Sequence, residues 1–188
     1  MKNLLIITGK SASGKDSILN ILNKDFNFER IVTCTTRPIR DNETDGVDYY
    51  FLSDKEFDLL VKNNRFAEYR EYNSLFNNIS KVWKYGTLKQ KLSSSKNYVI
   101  VLELKGAKEL KEYYGDQCQV IYIQSNDEIR RQRAEQRGSF SETEWNRRLE
   151  ADKKDFTDDK KRDIIDIQYN NNDCDINELT KTIYRNFI

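Results

Sequence analysis

The chain has 188 residues, 37% of them hydrophobic and 34% charged, with a formal net charge of +1. That length admits one domain with subdomains or two small domains and is enough to bury a core, while near-neutrality argues against a general nucleic-acid binder, whose basic excess shows in the total. Histidine is absent, which excludes Ser-His triads, Cys-His pairs and His-ligated zinc and leaves carboxylates, lysine, arginine, hydroxyls and a hard metal ion to carry any chemistry.

In chain order, Leu4 to Thr8 is a short apolar run ending at Gly9, and Ile18, Leu19 and Leu22 then recur at helical spacing, which predicts strand, loop, helix. Thr33 to Lys84 carries turn residues, aromatics and one helical segment at about Asp54 to Asn63, the composition of an inserted lobe rather than of core. Tyr98 to Leu104 and Val120 to Ile123 have the character of buried strands. The stretch from Asn126 to Asp155 is arginine-rich and helical, with too few apolar residues for a buried layer. Ile164 to Tyr169 is a predicted last strand, and Ile176 to Ile188 a closing helix. Strands alternating with helices predict an α/β protein with a parallel sheet flanked by helices, whose ligands bind beyond the carboxyl ends of the strands.

No apolar run is long enough to cross a bilayer, and the N-terminus enters a strand-like run without a cleavable signal. Cys34, Cys118 and Cys174 are too scattered to suggest a disulfide framework or a zinc pair. The expectation is a cytoplasmic protein that does not engage membranes.

Gly9-Lys10-Ser11-Ala12-Ser13-Gly14-Lys15-Asp16 fits G-x-x-x-x-G-K at the junction of a strand and a helix. Such a P-loop needs its glycines so that backbone N–H groups can curl around phosphate oxygens, aided by the helix N-terminus. Lys15 is expected to reach the outer phosphates of ATP. Asp16 stands where a hydroxyl residue usually helps hold Mg²⁺, and Ser17 follows it; both are the expected metal-side residues.

A second constellation runs Thr35-Thr36-Arg37-Pro38-Ile39-Arg40-Asp41-Asn42-Glu43-Thr44-Asp45-Gly46-Val47-Asp48-Tyr49-Tyr50-Phe51. Here the sequence resembles guanylate kinases, whose acceptor site is marked by T-T-R-x-x-R-x-G-E-x-x-G-x-D-Y-x-F. The departure is Asn42 for glycine, and Asn tolerates positive φ best among the alternatives. The resemblance implies a P-loop NTPase-type core, an inserted lobe binding a nucleoside monophosphate, and a helical lid. Its expected segments are core at 1–32, 88–124 and 151–188, the acceptor lobe at 33–87 and the lid at 125–150.

The resemblance also assigns roles. Arg37 and Arg40, with Glu43, Tyr49 and Tyr85, mark the acceptor phosphate site, and Thr33, Glu68, Thr87 and Glu103 complete the GMP site. A carboxylate suits guanine because the base offers N1–H and an exocyclic amine together. Arg133, Arg137 and Arg148 match the arginines that close over the transferred phosphoryl group, whose charge they neutralise. Arg130, Arg131 and Arg147 read instead as a solvated basic face. Asn171 matches an asparagine near the donor adenine. Family members commonly carry Asp-x-Asp where this chain has Val101-Leu102-Glu103, so Asp16 is expected to supply part of the missing charge near Mg²⁺. The stretch from Asn73 to Lys84 is longer than usual and is expected to extend a hairpin, the alternative being that it reshapes specificity.

The implied reaction is phosphoryl transfer from Mg-ATP to GMP or deoxy-GMP by a monomer or homodimer. Two alternatives stay open: ribose 1,5-bisphosphate phosphokinase, a relative with a similar Gly-Lys-Asp-Ser loop, and a guanylate-kinase-like module that binds protein ligands without catalysis.

Overall fold

A computed structural model describes residues 2–41, 43–76, 79–136 and 140–188, and their side chains outside 73–80. The elements are β1 (Leu4–Thr8), α1 (Lys15–Asp25), β2 (Glu29–Arg30), β3 (Thr33–Thr35), β4 (Tyr49–Phe51), α2 (Asp54–Lys62), β5 (Phe66–Phe76) and β6 (Ile79–Leu88). They continue with β7 (Tyr98–Val101), α3 (Leu104–Tyr114), β8 (Cys118–Gln124), α4 (Asp127–Glu135), α5 (Glu142–Asp155), α6 (Asp158–Arg162), β9 (Ile167–Asn170) and α7 (Ile176–Phe187). Two compact units divide the chain: Met1–Arg30 with Ser94–Ile188, and Ile31–Ser93.

The larger unit is built on a five-stranded parallel sheet in the order β2-β7-β1-β8-β9. Every residue of the central β1 is buried, as a parallel strand covered on both faces requires, and this is why its sequence is a continuous apolar run. On one face Leu5, Ile7, Val99, Ile121 and Ile123 pack with Ile18, Leu19 and Leu22 of α1 and with Leu179, Ile183 and Phe187 of α7. The helical spacing of those residues turns one stripe of each helix to the sheet. Leu104, Ala107 and Leu110 are the buried stripe of α3.

Two predicted strands are shorter than expected. Leu104 is buried but opens α3; the apolar run from Tyr98 to Leu104 crosses a strand-to-helix junction, which apolarity alone does not mark. Ile164 is also buried, yet pairing begins at Ile167 opposite Ile121. Before it, the Asp166 carboxylate accepts the Val120 N–H at 2.7 Å and its backbone N–H donates to the Val120 carbonyl at 2.9 Å.

The smaller unit carries a four-stranded sheet ordered β4-β3-β6-β5. β3 runs parallel to β4 and antiparallel to β6, and β5 and β6 form a long hairpin that pairs out to Phe76 opposite Ile79. Within the stretch expected to extend a hairpin, Asn73–Phe76 and Ile79–Lys84 are paired strand. α2 starts at a capping box between Ser53 and Glu56 and buries Phe57 against Cys34 and Phe66.

Candidate active site

The phosphate loop leaves β1 through backbone that favours glycine. Gly9 has φ 152° and Gly14 φ 98°, and a Cβ would strike the Ile123 carbonyl at the first and the Asn171 amide at the second. The first helical bond of α1 runs from Ile18 N–H to the Gly14 carbonyl at 3.1 Å, and no side chain caps the helix. The N–H groups of its first turn therefore face forward, a ready anion site. Lys15 Nζ donates to the carbonyls of Gly9 at 2.7 Å and Lys10 at 2.8 Å. Burial pushes the Lys15 pKa down, against the opposing pull of Asp16, Asp152 and Glu103. Ser13 is fully buried, and its Oγ has no hydrogen-bond partner among the described residues. An orphaned donor in a loop of this shape is what a phosphate oxygen would satisfy.

Several side chains hold the loop from behind. Asn171, 1% exposed, donates from Nδ2 to the Ser13 carbonyl at 2.8 Å. The Ser125 hydroxyl donates to the Asn171 carbonyl at 2.6 Å and accepts from Arg133 Nη1 at 3.1 Å, while Arg133 Nη2 donates to the Asn172 carbonyl at 3.2 Å. Arg130 corrects the sequence reading. It is fully buried rather than solvated, paired with Asp152 at 2.6 Å and bonded to the Ser11 carbonyl at 2.9 Å. Neither Arg130 nor Asp152 was legible as a site residue, because the partners lie far apart in sequence and charged side chains rarely go inside. Arg131 and Arg147 are exposed as expected and sit in ion pairs with Glu142 and Glu144. Arg148 is held by the same Glu144, at 2.8 Å. Arg137 lies outside the described residues, as does Asn42.

The smaller unit gathers the predicted acceptor residues except Glu103, which lies in the larger unit at the start of α3. Arg37 is 4% exposed, and its Nη2 donates to both Glu43 oxygens at 2.7 and 3.0 Å. Glu43 also accepts the Arg40 backbone N–H at 3.0 Å, so one carboxylate fixes both arginines, and the Arg40 side chain stays 53% exposed. The Arg37 guanidinium lies 5.5 Å from the Tyr49 ring centre, and the Tyr49 and Tyr85 rings are 6.1 Å apart. Glu68 is 5% exposed and accepts the hydroxyl of the fully buried Thr87 at 2.6 Å. Arg70 Nη1 stands 4.0 Å from the other Glu68 oxygen. Thr33 is half-buried on β3, in the same sheet. Cys34 and Cys118 are buried, and burial pushes their thiols up to about 11 and about 12, which removes them as nucleophiles at neutral pH.

Residues 1–185 match the family model described as guanylate kinase. The chain belongs to the guanylate kinase family. A guanylate kinase from Bacteroides thetaiotaomicron is 36% identical over 68% of this chain and 62% of its own length, so the chain spans less than two thirds of that relative. A guanylate kinase from Porphyromonas gingivalis is 32% identical over 83% of each chain. The fold matches the crystal structure of guanylate kinase from Anaplasma phagocytophilum with a TM-score of 0.67 at 22% identity, covering 99% of this chain and 84% of that one.

Guanylate kinases belong with the kinases that handle magnesium nucleotides, and the donor set here is compatible with such an ion. Asp16 and Ser17 are exposed on the first turn of α1, and the exposed Glu103, which opens α3, is close enough to act on Lys15. Among the described residues no group of three acidic, cysteine or histidine side chains converges. These are hard oxygen donors for an ion that takes most of its shell from phosphates and water, as Mg²⁺ does in nucleotide sites. Among the described residues no helix is long and apolar enough to cross a membrane.

Proposed function

We propose that the protein is an ATP-dependent guanylate kinase, transferring the terminal phosphoryl group of ATP to GMP or deoxy-GMP to give ADP and the diphosphate. The observation that carries the choice of acceptor is the buried Glu68 carboxylate fixed by Thr87. A buried carboxylate needs donors, and guanine supplies an adjacent N1–H and amine where adenine presents an acceptor at N1.

The mechanism follows from placing charge. The acceptor's own phosphate is the nucleophile and is already anionic at neutral pH, so no general base is required and the absence of histidine is natural. Arg40, with Arg37 behind it, binds that phosphate through a guanidinium fork that suits its oxygens and keeps its charge. The hydroxyls of Tyr49 and Tyr85 add donors. The phosphate loop and Lys15 bind the donor's phosphates, and Lys15 leaves the carbonyls of Gly9 and Lys10 to do so. Arg133, Arg137 and Arg148 stabilise the equatorial oxygens as the bond to phosphorus shifts from ADP to the acceptor. When bound, Mg²⁺ neutralises the donor's outer phosphates, and Asp16 and Ser17 are the residues that would hold it.

The deciding assay offers Mg-ATP with a panel of ribo- and deoxyribonucleoside monophosphates and ribose 1,5-bisphosphate. Turnover confined to GMP and deoxy-GMP is the expected outcome. Preference for the ribose bisphosphate, or ATP binding with no transfer to any acceptor, would overturn it.

A further inference from the structure

Ser11, in the phosphate loop, has both of its backbone polar groups held by side chains from two different helices. Its N–H donates to the Asp152 carboxylate of α5 at 3.1 and 3.3 Å, and its carbonyl accepts from Arg130 Nη1 of α4 at 2.9 Å. The Ser11 hydroxyl adds a third contact to Asp152 at 3.4 Å. The two side chains also grip each other at 2.6 Å, Arg130 Nη2 pairs with Asp127 at 2.7 Å, and the guanidinium lies 5.5 Å from the Trp145 ring centre.

This arrangement is a poor way to obtain stability. Arg130 is fully buried, Asp152 nearly so, and Arg130 Nε has no hydrogen-bond partner among the described residues. Desolvating two charges costs as much as or more than their attraction returns, and apolar residues of similar volume generally pack as well or better. What apolar residues would not do is hold the two polar groups of Ser11. We infer that Arg130 and Asp152 are positioning residues for the donor site: they fix the first half of the phosphate loop, so that the N–H groups of Gly14 to Ser17 meet the phosphates of the nucleoside triphosphate in a preformed curve. Preorganisation of this kind acts on affinity, because a loop that must be ordered on binding spends part of the interaction doing so.

The inference rests on the phosphate loop being the donor site. Titration calorimetry of the full chain with ATP and Mg²⁺ tests that first, since a wild-type protein that binds no nucleoside triphosphate overturns both the site and this role for the pair. Given binding, the decisive variant is the double substitution Arg130→Leu with Asp152→Leu, which removes both charges together and leaves neither buried alone. It is expected to unfold within a few degrees of wild type or above it, yet to bind ATP at least tenfold more weakly, with KM for the acceptor little changed. Wild-type ATP affinity in that folded double variant would make the pair merely structural and overturn the inference. Should the double variant fail to fold, Asp152→Asn decides, since it keeps the shape and one acceptor for Ser11 N–H. A threefold or greater loss of ATP affinity per folded molecule supports positioning, whereas lowered thermal stability with unchanged affinity overturns it.

Discussion

In the proposed function one side chain, Glu68, carries the choice of acceptor. Its carboxylate is buried and takes the Thr87 hydroxyl on one oxygen. Glu68→Gln keeps the shape but turns half of an acceptor pair into a donor, which faces a guanine N–H with no acceptor. A mismatched buried donor costs about 1–3 kcal/mol, so KM for GMP should rise roughly five- to 150-fold, with a smaller effect on any competing monophosphate. An unchanged KM for GMP would remove Glu68 from base recognition. Asp16 permits a second test at this scale. It is exposed at the start of α1, beside Lys15. If its charge serves the metal, Asp16→Ala raises the Mg²⁺ concentration needed for half-maximal rate, and adding Val101→Asp recovers part of the loss. If it serves only the helix dipole, a role worth under about 1 kcal/mol, the Mg²⁺ requirement stays where it was. Candidates marked by a spaced motif, such as Lys15, Arg37 and Arg40, were legible in the sequence. Arg130 and Asp152 were not. Nothing in Asp127 to Glu135 marks one arginine as the buried one, and its partner arrives 22 residues later from another helix.

At the scale of elements, β1, the phosphate loop and α1 were readable because the apolar pattern changes from continuous to helical across a glycine-rich turn, and each pattern has one structural solution. Element ends were less readable where apolar residues cross a junction, as at Leu104 and Ile164. α5 was read as helical but not as contributing a buried layer, although Trp145 and Asp152 both go inside. Its exposed first turns suggest a pH experiment. Hydrogen bonds from Arg147, aided by Arg148, hold the Glu144 carboxyl well below its ordinary 4.5, at about 2, despite partial burial. A carboxyl with a depressed folded pKa stabilises the protein above the unfolded value and loses that contribution as pH falls through the folded one. Glu144→Gln should therefore lower Tm near neutral pH, by an amount corresponding to about 1 kcal/mol or less because the arginine partners are well exposed. The difference from wild type should shrink as pH falls from 4.5 toward 2. A constant difference across that range would mean that Glu144 acts through packing and not through its charge.

The residues proposed for donor and acceptor recognition fall in two different units. The phosphate loop, Lys15 and Asn171 belong to the unit of Met1–Arg30 and Ser94–Ile188, while Arg37, Arg40, Glu68 and Thr87 belong to Ile31–Ser93. The sequence hinted at this division because the alternation of apolar strands and helices breaks off after the first helix and resumes at Tyr98. If the donor and acceptor assignments are right, each nucleotide should stabilise its own unit against local opening. A ligand present at 100 times its Kd stabilises what it binds by about 2.7 kcal/mol, enough to slow amide exchange up to roughly 100-fold wherever opening requires its release. ATP without an acceptor is expected to protect the loop from Gly9 to Gly14, α1 and the amides around Asn171. GMP alone is expected to protect β3, the Glu68 region of β5 and the Tyr85 to Thr87 stretch of β6. Hydrogen exchange read by mass spectrometry on peptides from both units distinguishes these patterns without any turnover. Protection by GMP confined to the phosphate-loop unit would show that the acceptor occupies the donor site and would overturn the assignment of Ile31–Ser93 as the acceptor-binding unit.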